Sequence, residues 1–150
     1  MPGEVWFYHL ERTTLAEALP ELLEKTMEKG WRALVRAGSE SRLKELDDQL
    51  WTAKDDNFLA HGRSDAPDPD RQPILLSLTE ENANGAQILF ALDGVAPENP
   101  DAFERCCVMF DAGDESAVTA SRELWKKAKA DGHSIAYWQQ SVEGRWEKKA

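Results

Sequence analysis

Residues 5–37 read VWFYHLERTTLAEALPELLEKTMEKGWRALVRA, and the order of elements within this stretch decides the fold. Val5–Leu10 is apolar and aromatic, the composition of a strand. Thr14 and Glu17 fit a capping box, in which each side chain satisfies a backbone donor at a helix start. Leu15, Leu19, Leu22 and Leu23 then recur at helical spacing. Pro20 is awkward there and predicts a kink or a later start, because it lacks the N–H a helix interior needs. Gly30 supplies a stop, and Arg32–Ala37 reads as a second strand. Ser39 is placed to cap a second helix whose apolar stripe is Leu43, Leu46 and Leu50.

The same reading continues downstream. Gly62 to Pro73 is polar and proline-rich, the composition of a surface loop. Ile74–Leu78, Gln87–Leu92 and Arg105–Phe110 read as three further strands, with Asn84–Gly85 as a turn signal between the first two. Asp114 is placed to cap a last helix ending at Gly132, and Ser134–Trp138 reads as a final strand. A chain of 150 residues suits one domain, here residues 1–150. Strands alternating with helices predict an α/β fold: three layers, α/β/α, around a largely parallel sheet.

Composition narrows the function classes. Hydrophobic residues make up 41% of the chain, enough for a core. Apolar runs such as Cys106–Phe110 are far too short for a bilayer, and the N-terminus lacks the pattern of a signal peptide. The two cysteines, Cys106 and Cys107, are adjacent in a strand, so they point to opposite faces and are poorly placed to pair. These features predict a reducing, cytoplasmic setting without membrane contact. The net charge is −10. It is unevenly spread: residues 122–150 hold seven Lys/Arg against four Asp/Glu, whereas the first 121 residues carry a net −13. An acidic body repels a phosphate backbone, so sequence-independent DNA binding is disfavoured, while the basic end points to a local anion site.

Catalytic and cofactor motifs are weak. The strand-to-helix turn Arg36–Ser41 sits where a dinucleotide fold holds phosphate, but has one glycine and no Lys-Ser/Thr pair. His9, His61 and His133 are far apart and show no metal-ligand spacing. Asp55–Asp56 and Asp111/Asp114 read more simply as acids near loops and helix starts than as a metal pair. An alternative reading is a small α/β enzyme pairing His61 with Cys106 or Cys107, without the glycine-framed nucleophile such enzymes carry. A second is a stand-alone nucleic-acid module using the basic helix. No cofactor, metal or catalytic residue is therefore assigned.

The last helix says more. At 100° per residue, Ala117, Ala120, Ser121, Leu124 and Ala128 share one arc fit to pack on a sheet, while Val118, Arg122, Trp125, Lys126 and Lys129 share another. The second arc is basic with an aromatic at its edge. It suits a peptide bearing carboxylates and an apolar anchor, and reads equally as a half-buried tryptophan among solvated cations. Most of the other tryptophans, Trp6, Trp31, Trp51, Trp138 and Trp146, are expected in the core. Trp51, Phe58 and Leu59 precede His61 in a cluster that fits either packing or a contact patch.

Val5–Leu10, Leu46–Trp51 (LDDQLW), Phe58–His61, Gln72–Ile74, Asn82–Gly85 (NANG), Ala136–Gln140 (AYWQQ) and the Gly144–Lys149 end follow one another in an order that resembles the DNA polymerase III chi subunit family. The resemblance covers nearly the whole chain. It implies a mononucleotide-binding-like fold without a phosphate loop. It also implies a non-catalytic subunit bridging the clamp-loader assembly to the acidic C-terminal tail of single-stranded DNA-binding protein, and touching DNA only indirectly. The family's tail-binding arginine, aromatic and lysine fall on Arg122, Trp125 and Lys126, with tryptophan in place of the familiar tyrosine. A further family lysine falls on Val118, and Lys127 and Lys129 are candidates to replace its charge. The surface implied for the psi subunit, or another clamp-loader partner, falls on Trp51, Phe58, Leu59 and His61, where the family's usual proline before the histidine is Ala60.

Overall fold

The computed structural model describes residues 4–11, 15–52, 61–63, 72–82, 84–95, 97–140 and 146–149, with only the backbone at 15–17, 51, 52 and 61. Its elements are β1 (Glu4–Leu10), α1 (Leu15–Glu28), β2 (Ala33–Arg36), α2 (Glu40–Thr52), β3 (His61–Arg63), β4 (Ile74–Ser77), β5 (Ile88–Leu92), a 3-10 turn at Pro100–Ala102, β6 (Arg105–Asp111), α3 (Glu115–Ala130), β7 (Ile135–Gln140) and β8 (Trp146–Lys148). The eight strands form one sheet in the order β3-β4-β2-β5-β6-β1-β7-β8. Every neighbouring pair is parallel except β7–β8. This is the α/β class expected.

Central parallel strands are covered on both faces, so they carry continuous apolar runs. All of β5 is buried, as is Cys106–Phe110 of β6. One face packs on α1 and α2: Leu19 and Leu23 of α1 and Leu43, Leu46 and Leu50 of α2 meet Val35, Phe90 and Met109. The other face packs on α3, where Ala117 and Ala128 meet Val5, Phe7, Val108 and Phe110. Beyond α3, among the described residues, that face is covered by Ala86 and Phe103 over Leu34, Leu75 and Leu89. Fully burying a side chain such as Phe7 or Phe90 stabilises by roughly 1.5–3 kcal/mol, so these strands anchor the fold.

Local signals agree in most places. The Ser39 hydroxyl accepts from the Arg42 N–H at 3.2 Å, capping α2. The Asp114 carboxylate accepts from the Ala117 N–H at 3.1 Å, capping α3. Gly30 and Gly132 follow α1 and α3 with φ of +78° and +82°. Helix α1 contains Pro20 in its interior, while Thr14 lies outside the described residues. Cys106 and Cys107 point to opposite faces, into separate cores.

The turn expected at Asn84–Gly85 is present, with Gly85 at φ +65°, but it joins strands that do not pair: β4 and β5 both run parallel to β2 and flank it. Asn84 is also a buried tie, its side-chain amide donating to the carbonyls of Ala33 and Gln72 at 3.1 and 2.9 Å. One expectation is corrected: the tryptophans whose side chains are described are not core. Trp6, Trp31, Trp125, Trp138 and Trp146 are all partly exposed, because they lie where the helices only partly cover the β1–β7–β8 flank.

Candidate functional site

The turn between β2 and α2 is where a mononucleotide-binding fold places phosphate, and here the chain fills that position itself. The Asp93 carboxylate, just past β5, accepts from the Gly38 N–H at 3.4 Å. The Arg42 guanidinium grips it with Nε at 3.1 Å and Nη2 at 2.9 Å. A bidentate arginine–carboxylate pair is among the stronger charge-assisted contacts. Burial works against the Arg42 charge, but the hydrogen bonds and charge of Asp93 outweigh it and raise its pKa. Asp93 holds φ of +57°, which aspartate tolerates better than most residues. A Cβ at Gly38 would lie 2.9 Å from the Asp93 Cβ, so the approach requires glycine. An anion entering here must first displace this carboxylate.

The His61–cysteine pairing is excluded by topology. His61 lies on edge strand β3, and three strands (β4, β2, β5) separate it from β6. At about 4.8 Å per strand that is roughly 19 Å. Burial also raises the pKa of both thiols, that of Cys107 to about 12, so neither supplies a thiolate near neutral pH.

The basic face of α3 has a different character. Ala117, Ser121 and Ala128 are buried against the sheet, as the first arc predicts. On the second arc, Trp125 is half-buried. Its ring meets Phe7 at 5.5 Å and Tyr137 at 5.8 Å between centroids, both edge-on. Val118 is half-buried against the same cluster. Arg122, Lys126 and Lys129 are exposed. Lys126 lies 3.8 Å from Glu123 with both side chains largely in solvent, a contact worth little. Among the described residues, no ion pair occupies Arg122 or Lys129. Lys127 projects to the other flank of the helix, where it lines a groove with Glu123, Leu124 and His133.

The strands beneath supply groups that the helix pattern does not reveal. The Tyr137 hydroxyl lies 2.8 Å from His9 Nδ1. His9 also stacks on Phe110, with centroids 4.9 Å apart. Burial and the Arg122 charge lower the His9 pKa, opposed by Glu11. Burial raises that of Tyr137. Their signal in the sequence is alternation: Phe7 and His9 share one face of β1, and Tyr137 lies beside Phe7 on β7. The resulting surface has a fixed aromatic wall and mobile cations above it, suited to carboxylates next to an apolar group.

The second set of candidates is only partly placed. Trp51 is near the end of α2 and His61 starts β3, but their side chains, like all of Phe58 and Leu59, lie outside the described residues. No helix among the described residues is long and apolar enough to cross a membrane.

Comparison with known proteins bears on this geometry. A family model described as DNA polymerase III chi subunit, HolC, matches residues 2–136, a span that includes all of α3. A protein of Rickettsia prowazekii (strain Madrid E), named probable DNA polymerase III subunit chi, is 27% identical over 82 residues. That alignment covers 55% of this chain and 50% of the relative, so the chain spans about half the length of the curated relative it matches.

Proposed function

This chain belongs to the DNA polymerase III chi subunit family, and on that premise we propose that it is a non-catalytic subunit of the replicative polymerase that holds the acidic C-terminal tail of single-stranded DNA-binding protein on α3. The observation that carries this reading is the pairing of Trp125, held edge-on by Phe7 and Tyr137, with exposed Arg122 and Lys129 above it. In this reading the arginine and lysines meet the tail's carboxylates, and Trp125 with half-buried Val118 walls its apolar end. Lys126 contributes through its charge, since its contact with Glu123 is easily exchanged. Tryptophan in place of the family's tyrosine keeps the wall.

The clamp-loader assembly, through a psi subunit or directly, is the partner proposed for the surface around Trp51, Phe58, Leu59 and His61. DNA is then engaged only through single-stranded DNA-binding protein, in the cytoplasm. The test compares full-length single-stranded DNA-binding protein with a form lacking its tail, each bound to a DNA single strand. The chain should join the first complex and not the second. Equal recruitment, or direct binding to bare DNA, would overturn the proposal.

A further inference from the structure

On the sheet face opposite α3, a pocket of about 330 Å³ lies between the β1–β7–β8 flank and α1. That is at the lower end of about 300–1,000 Å³ for ligand pockets, the scale of one large side chain. Its walls are aromatic and brace one another. Trp6 and Trp138 meet at 5.6 Å, Tyr8 stacks on Trp138 at 6.4 Å, and Trp146 meets Tyr8 edge-on at 5.0 Å. Among the described residues, every charged residue lining it is a cation, Lys25, Lys29 or Arg105, in a chain with 28 acidic and 18 basic residues. Arg105 lies 3.8 Å over Trp6 and Lys29 lies 4.0 Å over Trp31. Glu4 pairs with Arg105 at 3.2 Å, and Glu21 touches exposed Lys25 only loosely, at 3.9 Å. The Trp138 indole N–H is buried and has no acceptor among the described residues.

We propose that this pocket docks an acidic segment of a partner protein, which lays one large apolar side chain against the aromatic wall and sets carboxylates against Lys25, Lys29 and Arg105. The pocket is a third surface, apart from both α3 and the Trp51–His61 region, and the proposal rests on the reading above only for the partner's place in the assembly. A nucleic-acid strand fits less well. Arg105 already covers the Trp6 face a base would use for stacking, the acidic body repels phosphates, and the polar edge of a base would find few partners.

The test follows the indole N–H signals of the ¹⁵N-labelled chain by NMR. The probe is a blocked peptide with one phenylalanine flanked by aspartates. Controls are the same peptide with alanine for phenylalanine, and oligothymidylate. The peptide should shift Trp6 and Trp138 saturably, with affinity at least tenfold weaker in Lys25→Glu/Lys29→Glu, whose circular dichroism should match wild type. The shifts should persist in Arg122→Ala. Shifts confined to Trp125 and lost in Arg122→Ala, equal binding of the alanine peptide, or stronger shifts with oligothymidylate would each overturn the pocket. If Trp6 and Trp138 respond while the tail of single-stranded DNA-binding protein fails to bind α3, the pocket stands and the tail-holding role falls.

Discussion

At the carboxyl ends of β2 and β5, Arg42 closes on Asp93; on α3, Arg122 stands exposed with no ion pair among the described residues. Both arginines belong to places that can hold an anion. The first is completed from within: its carboxylate comes from the same chain, both side chains are about one-fifth exposed, and the backbone of Gly38 joins the pair. The second has its aromatic wall built and its cations unspent. A cation matched inside the fold contributes to stability, whereas one left beside a rigid ring contributes when a partner arrives. The contrast predicts that changes at the first region appear in folding and changes at the second in binding.

The largest effect should come from Asp93→Ala. It leaves Arg42 half-enclosed with only the more exposed Glu45, 3.2 Å away, removes the acceptor of Gly38, and puts alanine at a positive φ. Breaking a buried pair costs about 3–5 kcal/mol, so this partly exposed one should cost roughly 2–4 kcal/mol. Asp93→Gly relieves the backbone and should recover about 1 kcal/mol of that loss. Urea denaturation of the two variants measures both parts. Stability within about 0.5 kcal/mol of wild type for Asp93→Ala would erase the comparison at its stronger end.

Trp125→Ala should fall between the regions, because Trp125 belongs to both the core's edge and the proposed site. Losing its contacts with Phe7 and Tyr137 should cost roughly 1.5–3 kcal/mol and weaken tail binding as well. Trp125→Tyr should restore most of the binding. A variant that keeps full affinity without its aromatic ring would show that the wall plays no part.

Arg122→Ala should leave stability within about 0.5 kcal/mol of wild type, as exposed substitutions do. Titrated with a labelled tail peptide, it should bind about tenfold more weakly or worse, since a partly desolvated charged hydrogen bond is worth about 1.5–3 kcal/mol. Lys126→Ala and Lys129→Ala should lose less, and the wild-type affinity should fall as salt rises. Equal affinity in every variant would reduce the face to a solvated helix surface.

The sequence made part of this comparison legible. The stripe of α2 and the two arcs of α3 are local periodicities: Leu43, Leu46 and Leu50 are buried, as are Ala117, Ser121 and Ala128 of the packing arc. The Arg42–Asp93 pair spans 51 positions, so only the meeting of β2 with β5 reveals it. Asn-Gly announces a turn, yet the flanking strands do not pair because β2, from far upstream, lies between them. Strands β3 and β8 are three residues each, HGR and WEK, defined by ladder bonds rather than apolar alternation. The tryptophans were misplaced because composition marks a residue as apolar without saying which strands a helix covers.

The smallest expected effect concerns His9, which lies under the α3 face and links the two kinds of behaviour. Its pKa is held below the ordinary 6.5 by burial and by Arg122, with Glu11 opposing. Between the folded and unfolded values the unfolded chain binds more protons, so stability rises with pH through that window. As pH falls through the ordinary histidine value of about 6.5 and below, the folded state should lose stability through this group. His9→Gln, which keeps an acceptor for Tyr137, should lack that component when melting curves of the two proteins are subtracted. Arg122→Ala removes one of the two lowering influences, so the His9 titration midpoint followed by NMR should move upward while the fold is unchanged. An acidic tail bound beside Arg122 should move it the same way, by partly neutralising the same charge. If neither change reaches His9, then Arg122 does not act on the strands beneath it, and the α3 cations are independent of the aromatic floor to which the comparison couples them.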